Sequence, residues 1–297
     1  MSSRIKCNKY ALITPARNEE KCIAYTLNSV VSQINLPEIW IIVSDGSTDK
    51  TDQIVKKYSD KYGFIKLLKI NRRGSPNFSA KVAAFNTGYD QLGSVDYDFI
   101  GNFDADISFK NTYTKRIMEK FVKNPKLGLA GGIIMEKRNN KFVPQNISLN
   151  SVAGAVQFFR RECFEETRGY IPLRYGGVDA AIEILARMKG WEVRTFLELG
   201  VKHYGRVTTG RKNILATKFQ QGITNYKLGY HPAFQIISSI ARFFDTPYLS
   251  GSIAVLIGYF WAAFRKKERA MPMDAVRYLR DEQMQRIVTA VSNLRRR

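Results

Sequence analysis

Short apolar runs alternate with amphipathic helical patterns through the first half of this chain, and this alternation constrains the fold most strongly. Four runs have the length and composition of buried strands, and three helical patterns separate them. The predicted strands cover 10–14, 40–43, 64–70 and 97–103, and the predicted helices cover 19–33, 52–62 and 79–92. Such alternation predicts an α/β fold, in which a Rossmann-like, mostly parallel sheet is flanked by helices.

The second half carries fewer and less regular signals. Strands are predicted at 127–135 and 192–197, and helices at 178–188 and 209–228. The 297 residues suffice for one large domain with an appendage, and neither an internal repeat nor a low-complexity linker divides them. We therefore predict one domain over 1–230, with halves at 1–110 and 111–230, and a helical appendage at 231–297.

An acidic triplet, Asp104-Ala105-Asp106, directly follows the fourth predicted strand. Ligands of open α/β sheets bind at the carboxyl ends of the strands, so this position is a candidate site. Two carboxylates there are costly to hold together unless a cation neutralises them. Mg²⁺ and Mn²⁺ take such oxygen ligands, often together with substrate phosphates. The triplet therefore predicts a Mg²⁺ or Mn²⁺ site, and its plainer interpretation is a helix cap or a turn.

Two other polar loops open at the same predicted edge. The segment 14–20 follows the first strand, and the segment 44–49 follows the second. Asp45 could there accept a hydrogen bond from a base N–H of a nucleotide, whereas the plainer interpretation is a turn followed by a helix cap. Three polar loops at one edge favour a binding site.

These segments resemble the family 2 glycosyltransferases, a family with the GT-A fold. The motifs, in order along the chain, are Thr-Pro-Ala-Arg-Asn-Glu-Glu at 14–20, Ser-Asp-Gly-Ser-Thr-Asp at 44–49, Ala-Phe-Asn-Thr-Gly at 84–88 and Asp-Ala-Asp at 104–106. They cover about residues 8–110, and weaker matches continue to about 230. The resemblance implies that 1–110 binds a nucleotide-sugar and that 111–230 forms an acceptor half.

The resemblance also implies roles for individual residues. Asp106 would ligate the metal directly, and Asp104 would meet the ribose and a metal-bound water. His203 could complete the metal site as a neutral imidazole, or could be an ordinary core or surface residue. The other candidate substrate-binding residues are Pro15, Arg17, Glu19, Asp45 and Lys81 near the nucleotide, and Arg206, Arg211 and Lys212 near the leaving diphosphate. The plainer interpretation of the last three is a solvated basic face.

Downstream segments resemble the family's acceptor side. Those similar to its lining are Gly154, 160–161 and 168–170. The segment 176–179 resembles its Glu-Asp motif, with Val178 where the family usually has Glu. In that motif the Asp is the catalytic base, which takes the proton of the acceptor hydroxyl as it attacks the anomeric carbon. The resemblance gives this role to Asp179; the alternatives are a helix-capping Asp179 and Glu183 as the base.

Together these features imply an inverting, metal-dependent glycosyltransferase that moves a sugar from a UDP- or GDP-type nucleotide-sugar to a hydroxyl acceptor. The predicted acceptor is a glycan, free or polyprenyl-linked. Two alternatives are a sugar-phosphate nucleotidyltransferase and a non-catalytic basic membrane-binding protein. The first would need a Gly-rich phosphate loop, but 14–19 contains no glycine. The second would leave the strand-end carboxylates unexplained, because without a metal they repel phosphates.

The positive charge of the chain is concentrated in its C-terminal third. The formal net charge is +21, and 201–244 contains seven basic residues and no acidic one. From Arg265 to the end, ten basic residues against four acidic ones leave +6. Because this excess borders the most apolar segment, it favours a membrane surface over nucleic acid as the partner.

The apolar segment 248–264 has seventeen uncharged residues, with aromatic residues at both ends. As a helix it would be about 26 Å long, marginal for a span of ~30 Å, and a buried core helix is the alternative. Basic residues on both sides favour cytoplasmic flanks. We therefore predict a peripheral or monotopic protein on the cytoplasmic face of the cell membrane. Three cysteines without metal-type spacing, and no leader-like N-terminal segment, agree with a reducing compartment.

Overall fold

The computed structural model describes residues 9–71, 78–138, 140–146, 148–174, 176–205, 214–243 and 248–295. Its first half follows the predicted alternation. The elements in chain order are β1 (Tyr10–Ala16), α1 (Ile23–Val31), β2 (Ile39–Asp45), α2 (Thr51–Lys61), β3 (Ile65–Ile70), α3 (Phe78–Asp90) and β4 (Phe99–Phe103). The helix predicted from residue 19 begins at Ile23 instead. The reason is a turn in which the Glu19 carbonyl accepts from the Cys22 and Ile23 N–H groups.

The second half contains more elements than the sequence predicted. They are β5 (Ile107–Phe109), α4 (Tyr113–Lys123), β6 (Leu127–Arg138), β7 (Lys141–Pro144), β8 (Val156–Arg160), α5 (Arg161–Glu166), α6 (Val178–Met188) and β9 (Glu192–His203). Helix α6 has its predicted bounds, whereas β9 continues past the predicted end at 197 to His203. The prediction missed β5, α4, β7, β8 and α5.

The described strands form one nine-stranded sheet in the order β3-β2-β1-β4-β8-β6-β9-β5, with β7 paired to β6. From β3 to β4 the neighbours are parallel, as predicted. The second half is mixed rather than mostly parallel, since β8 pairs antiparallel with β4 and β6, and β5 with β9. Strands β6, β7 and β8 follow one another without the crossover helix that parallel neighbours require, so β6 pairs antiparallel with both β7 and β8. The α/β fold with flanking helices is confirmed.

The sheet separates two hydrophobic clusters, because side chains alternate between its faces. In β1, Tyr10 and Leu12 belong to a cluster shared with α1 and α4, whereas Ala11 and Ile13 belong to one shared with α3 and α6. Helices therefore cover both faces of the sheet. Close packing on both faces holds the carboxyl edge of the strands, and the loops that leave it, in fixed positions.

Four helices follow the sheet: α7 (Ile214–Leu228), α8 (Pro232–Ala241), α9 (Tyr248–Phe264) and α10 (Met273–Arg295). Helices α7 and α9 lie in backbone contact. A Cβ at Gly222 would lie 2.0 Å from the carbonyl oxygen of Val255, and a Cβ at Gly258 would lie 2.0 Å from that of Phe219. Larger residues at these two glycines would therefore separate the helices.

Helix α10 joins the C-terminal helices to the sheet. Val276 and Leu279 share a buried cluster with Ile184 of α6, and Arg187 Nε lies 2.9 Å from Glu282 Oε1. Among the helices that the structure describes, none combines the length and the apolar character that a membrane span requires. The division of the chain at residue 230 stays a prediction.

Candidate active site

The loops after β1 and β2 are fastened to each other by hydrogen bonds. The Asn18 N–H donates to Ser47 Oγ at 3.2 Å, and Asn18 Oδ1 accepts from the Thr48 N–H at 2.8 Å. The Glu20 N–H donates to Asp49 Oδ2 at 3.0 Å. Side chains of the segment 44–49 thus hold the two loops together, in agreement with their interpretation as turn and cap residues.

Strand register brings predicted nucleotide-binding residues to one edge of the sheet. Pro15 lies opposite Val43 in the parallel pair of β1 and β2, so Arg17 and Asp45 follow at neighbouring strand ends. The Asp45 side chain is buried there, where its carboxylate is suited to accept a base N–H. The contacts of these residues with a nucleotide stay predictions.

The three predicted metal ligands come together at the end of β4. Antiparallel pairing of β5 with β9 places Ile107 opposite His203, and the Asp106 carbonyl accepts from the Tyr204 N–H at 2.8 Å. As a result, His203 Nε2 lies 3.3 Å from Asp106 Oδ2. One ligand atom each from Asp104, Asp106 and His203 lie within 4.8 Å of one another. This spacing allows all three to contact one ion.

The donor set fits a divalent cation. Asp106 Oδ1 is buried and has no hydrogen-bond partner among the described residues, so it has an unused lone pair in the site. A Cβ at Gly205 would lie 1.7 Å from Asp106 Oδ2, so the chain at this point is shaped closely around the carboxylate. Carboxylate oxygens with an imidazole nitrogen suit Mn²⁺, and the carboxylates suit Mg²⁺ as well.

Among the described residues, burial and neighbouring carboxylates raise the pKa values of acidic groups in the site. Burial and the charges of Asp106 and Asp104 raise the pKa of Glu19 to about 7. Burial also raises the pKa of Asp104, although Lys81 donates a hydrogen bond to its Oδ1 and opposes the shift. The hydrogen bond to Asp106 raises the pKa of His203. A cation that binds beside such carboxyl groups favours their charged form and lowers their raised pKa values.

Asp179 lies in the first turn of α6, shortly after two glycines whose backbone conformation other residues rarely adopt. Gly176 and Gly177 have φ angles of 104° and 88°, a region that favours glycine, and a Cβ at Gly177 would lie 2.7 Å from Thr224 Cγ2. A Cβ at Gly154 would lie 3.4 Å from Asp179 Oδ2. Asp179 therefore faces a position kept open by small residues.

A cavity of about 70 Å³ lies beside Asp179 and is also lined by Lys81 and Asn102. Because Lys81 bonds to Asp104, this cavity adjoins the acidic triplet on one side and Asp179 on the other. Its apolar lining consists of Phe78, Val82, Phe85 and Val178. The arrangement places a potential base across a small space from the metal-binding residues.

The floor of the cavity is a chain of hydrogen bonds with a defined direction. Gln157 Nε2 donates to the Val152 carbonyl at 3.3 Å, so Gln157 Oε1 accepts from Tyr170 Oη at 2.8 Å. Tyr170 Oη in turn accepts from Asn102 Nδ2 at 3.0 Å. Asn102 Oδ1 is then an acceptor with no partner among the described residues. Sequence reasoning missed Asn102 and Gln157; the spacing of Asn102 and Asp104 on one strand was a usable signal.

Glu183 does not line this cavity and supports its wall instead. Its Oε1 accepts from Ser151 Oγ at 2.9 Å and from the Val152 N–H at 2.7 Å, and it thereby anchors the segment that leads to Gly154. Burial raises the pKa of Glu183 to about 7, despite these hydrogen bonds. Glu183 is thus less suited than Asp179 to act on a substrate in the cavity.

We expect Glu183→Gln to remove part of the pH dependence of stability. The folded-state pKa of about 7 lies above the ordinary value of 4.5, so Glu183 lowers the free energy of unfolding as pH rises through this range. Gln keeps the two accepted hydrogen bonds and does not titrate. Urea unfolding measures the free energy of unfolding of the variant minus that of the wild type. This difference should be higher at pH 8 than at pH 5 by up to about 3 kcal/mol. A difference that is the same at both pH values would contradict this assignment.

Other predicted residues lie elsewhere. Arg160 donates through Nη2 to the Phe121 carbonyl at 2.8 Å, and Arg161 Nε donates to Glu165 Oε1 at 2.7 Å, so both stabilise the scaffold. Tyr170, in contrast, lies on the cavity floor. The predicted diphosphate contacts Arg206 and Arg211, with Lys212, lie outside the described residues.

Comparison with protein families decides the class of this chain. The sequence model described as glycosyl transferase family 2 matches residues 11–176, more than half of the chain. The chain belongs to glycosyl transferase family 2. Membership of family 2 favours sugar transfer over nucleotidyl transfer and over a non-catalytic role.

Curated relatives match less than half of the chain. The poly-beta-1,6-N-acetyl-D-glucosamine synthase of Staphylococcus epidermidis is 29% identical over 143 residues, which are 47% of this chain and 32% of the relative. The beta-monoglucosyldiacylglycerol synthase of Synechocystis is 30% identical over 124 residues, which are 40% of this chain and 24% of the relative. The chain thus spans about a third or less of the length of these relatives.

Solved structures similar to this chain have the GT-A fold. Residues 1–349 of Staphylococcus aureus TarS, in complex with UDP-GlcNAc, have a TM-score of 0.53 at 16% identity, covering 88% of this chain and 74% of the TarS fragment. The mannosyltransferase PcManGT from Pyrobaculum calidifontis, in complex with GDP-Man and Mn²⁺, has a TM-score of 0.54 at 16% identity, covering 96% and 87%. At such identities the likeness shows the fold alone. The GT-A fold predicted for the chain is confirmed.

Proposed function

We propose that this family 2 glycosyltransferase moves a sugar from a nucleoside-diphosphate sugar to a hydroxyl acceptor, with inversion at the anomeric carbon. The observation that supports it most is the grouping of Asp104, Asp106 and His203 within 4.8 Å at the edge of the sheet where the nucleotide loops end. Asp106 and His203 would hold Mg²⁺ or Mn²⁺. When bound, the cation neutralises charge that develops on the leaving diphosphate.

Lys81 and Asp104 connect the cation site to the cavity beside Asp179. The ammonium group of Lys81 donates to Asp104, so it would lie close to the phosphates of a donor bound at the cation site. Glu19 lies close enough to Asp104 and Asp106 to feel their charges, and its carboxylate can accept hydrogen bonds from ribose hydroxyl groups. These groups bind and orient the donor before the transfer.

Asp179 would act as the base of the transfer. The attacking acceptor oxygen forms a bond to the anomeric carbon while the bond to the diphosphate oxygen breaks, and the hydroxyl proton passes to the Asp179 carboxylate. One displacement from the face opposite the leaving group inverts the anomeric carbon. The location of Asp179 across the cavity from Lys81 agrees with this geometry.

The cavity between these groups would receive a substituent of the transferred sugar. Asn102 lines this cavity and its Oδ1 has no partner among the described residues, so it is a candidate acceptor for a sugar O–H or N–H, and the apolar lining is suited to a carbon-bearing group. The donor is UDP- or GDP-type, as in the TarS and PcManGT complexes. We propose a glycan or polyprenyl-linked glycan as acceptor, at the cytoplasmic face of the cell membrane, and no nucleic-acid partner.

Calorimetry with a panel of UDP- and GDP-sugars, with Mn²⁺ or with a chelator, tests this function. At least one nucleotide-sugar should bind roughly tenfold more tightly with Mn²⁺, a difference of about 1.4 kcal/mol. The matching free nucleotide diphosphate should compete, because it keeps the diphosphate that the cation contacts. Failure of the whole panel to bind, or equal binding with the chelator, would overturn the proposal.

A further inference from the structure

Helix α9 has an exposed apolar stripe along one side. The stripe consists of four side chains, with their exposed fractions: Leu249 (50%), Ile253 (43%), Ile257 (55%) and Trp261 (39%). A spacing of four residues keeps them on the same side of a helix. Phe260 and Phe264 add exposed aromatic surface next to its C-terminal end. Side chains of this size at regular spacing differ from scattered surface leucines and isoleucines, and they indicate contact with an apolar partner.

The other side of α9 is packed tightly, so its position is fixed. Tyr259 and Ala262 are buried, and Tyr259 Oη donates to the Tyr230 carbonyl at 2.6 Å. Gly258 brings the helix into backbone contact with α7. The stripe is therefore the outward side of a well-held helix.

Cations follow the stripe directly. Arg265, Lys266 and Lys267 are all exposed, and the next acidic residue is Glu268. The Arg265 guanidinium lies 5.9 Å, and the Lys267 ammonium 5.5 Å, from the centroid of the Trp261 ring. An indole with cations over its ring resembles side chains at the boundary between lipid tails and head groups, where long basic residues reach the phosphates.

We propose that α9 lies in the plane of an anionic lipid surface, with the apolar stripe among the acyl chains and Arg265, Lys266 and Lys267 against lipid phosphates. The formal charge of +21 supports the attraction at longer range. A second copy of the chain is a poorer occupant. In a twofold interface the same patch meets itself. Arg265, Lys266 and Lys267 of one copy would then repel the same residues of the other copy wherever the C-terminal ends of the two α9 helices approach each other.

This lipid contact would set the orientation of the active site. Helix α7 contacts α9 on one side, and its Thr224 packs against Gly177, two residues before Asp179, on the other. Only helix α7 would thus lie between the lipid surface at α9 and the segment that carries Asp179, where a lipid-linked acceptor would react. The lipid contact itself is independent of the proposed sugar transfer, and it can be measured without any substrate.

Co-sedimentation with vesicles tests the proposal. The wild type should bind vesicles of phosphatidylcholine with about a third phosphatidylserine, and bind pure phosphatidylcholine more weakly. The double variant Ile253→Glu with Ile257→Glu should lose roughly tenfold or more in partitioning. The matched control is Val122→Glu, which changes a side chain 60% exposed on α4 and should bind like the wild type.

Fluorescence of Trp261 provides a second measurement on the unaltered fold. Its emission should move to shorter wavelength when anionic vesicles are added, and Trp261→Phe should abolish that change. Binding by the double variant equal to that of the wild type, or no spectral change, would overturn the proposal. So would light scattering that shows a dimer which the double variant converts to a monomer, because the stripe would then belong to a second copy.

Discussion

Asp106→Asn should lower kcat/KM for sugar transfer by about a thousandfold, equivalent to about 4 kcal/mol of transition-state stabilisation, and Mn²⁺ should no longer stimulate the residual rate. We expect this because Asp106 provides the carboxylate nearest to His203, at 3.3 Å, and a buried Oδ1 without a partner among the described residues. Asn keeps the shape of the side chain but loses its charge. The amide is a weaker ligand for a hard cation, so metal affinity falls with the rate.

Initial rates over a Mn²⁺ titration, with calorimetry of Mn²⁺ binding, measure both effects. The control is Asp96→Asn, which makes the same chemical change at a side chain that is 80% exposed and 2.9 Å from Lys9. It should retain the wild-type rate and metal response. If Asp106→Asn kept its stimulation by Mn²⁺, the ion would have to be held elsewhere, and Asp106 would no longer be the principal ligand.

Local sequence patterns were sufficient to predict the parallel half of the fold. Each strand from β1 to β4 is a short apolar run followed by a polar loop, and parallel strands bring those loops to one edge whatever the rest of the chain does. The location of Asp106 at the carboxyl end of β4 follows from this rule. The pairing of β6, β8 and β9 depends on contacts between distant residues, so no local pattern revealed it.

The position of His203 shows this limit clearly. Its closeness to Asp106 depends on the pairing of β5 with β9, and β5 has only three residues, 107–109, which carry no recognisable strand signal. The resemblance to family 2 therefore offered His203 only as one of two interpretations. The structure places it beside the carboxylates.

The cavity floor and α9 escaped prediction for related reasons. Asn102, Gln157 and Tyr170 come from β4, β8 and the segment after α5, and only the folded sheet brings them together. The extent of α9, at 248–264, was predicted correctly from its lack of charge. Its exposed side was not predictable, because a helix that is apolar all round has no periodicity to mark the buried face; the contact with α7 decides it.

Asp179→Asn should lower kcat by a factor between about a hundred and ten thousand, the usual contribution of a general base. Donor affinity and its dependence on Mn²⁺ should stay unchanged, because Asp179 lies across the cavity from Lys81 and is not one of the grouped metal-binding residues. Rapid-quench rates at saturating donor and acceptor, with calorimetry of donor binding, separate the two quantities. A loss in donor affinity as large as the loss in kcat would instead indicate a binding role.

Asp274 provides the matched control, since it is the second residue of its helix, as Asp179 is of α6, where Gly177 and not Asp179 occupies the cap position. Asp274 Oδ1 accepts from the Ala275 N–H at 2.8 Å in the first turn of α10, just as Asp179 Oδ1 accepts from the Ala180 N–H at 3.0 Å in the first turn of α6. Both Asn variants should lose up to about 1 kcal/mol of unfolding free energy, from the charge at a helix N-terminus. Only Asp179→Asn should lose transfer. Equal kcat in the two variants would mean that Asp179 only stabilises the first turn of its helix and that another group takes the proton.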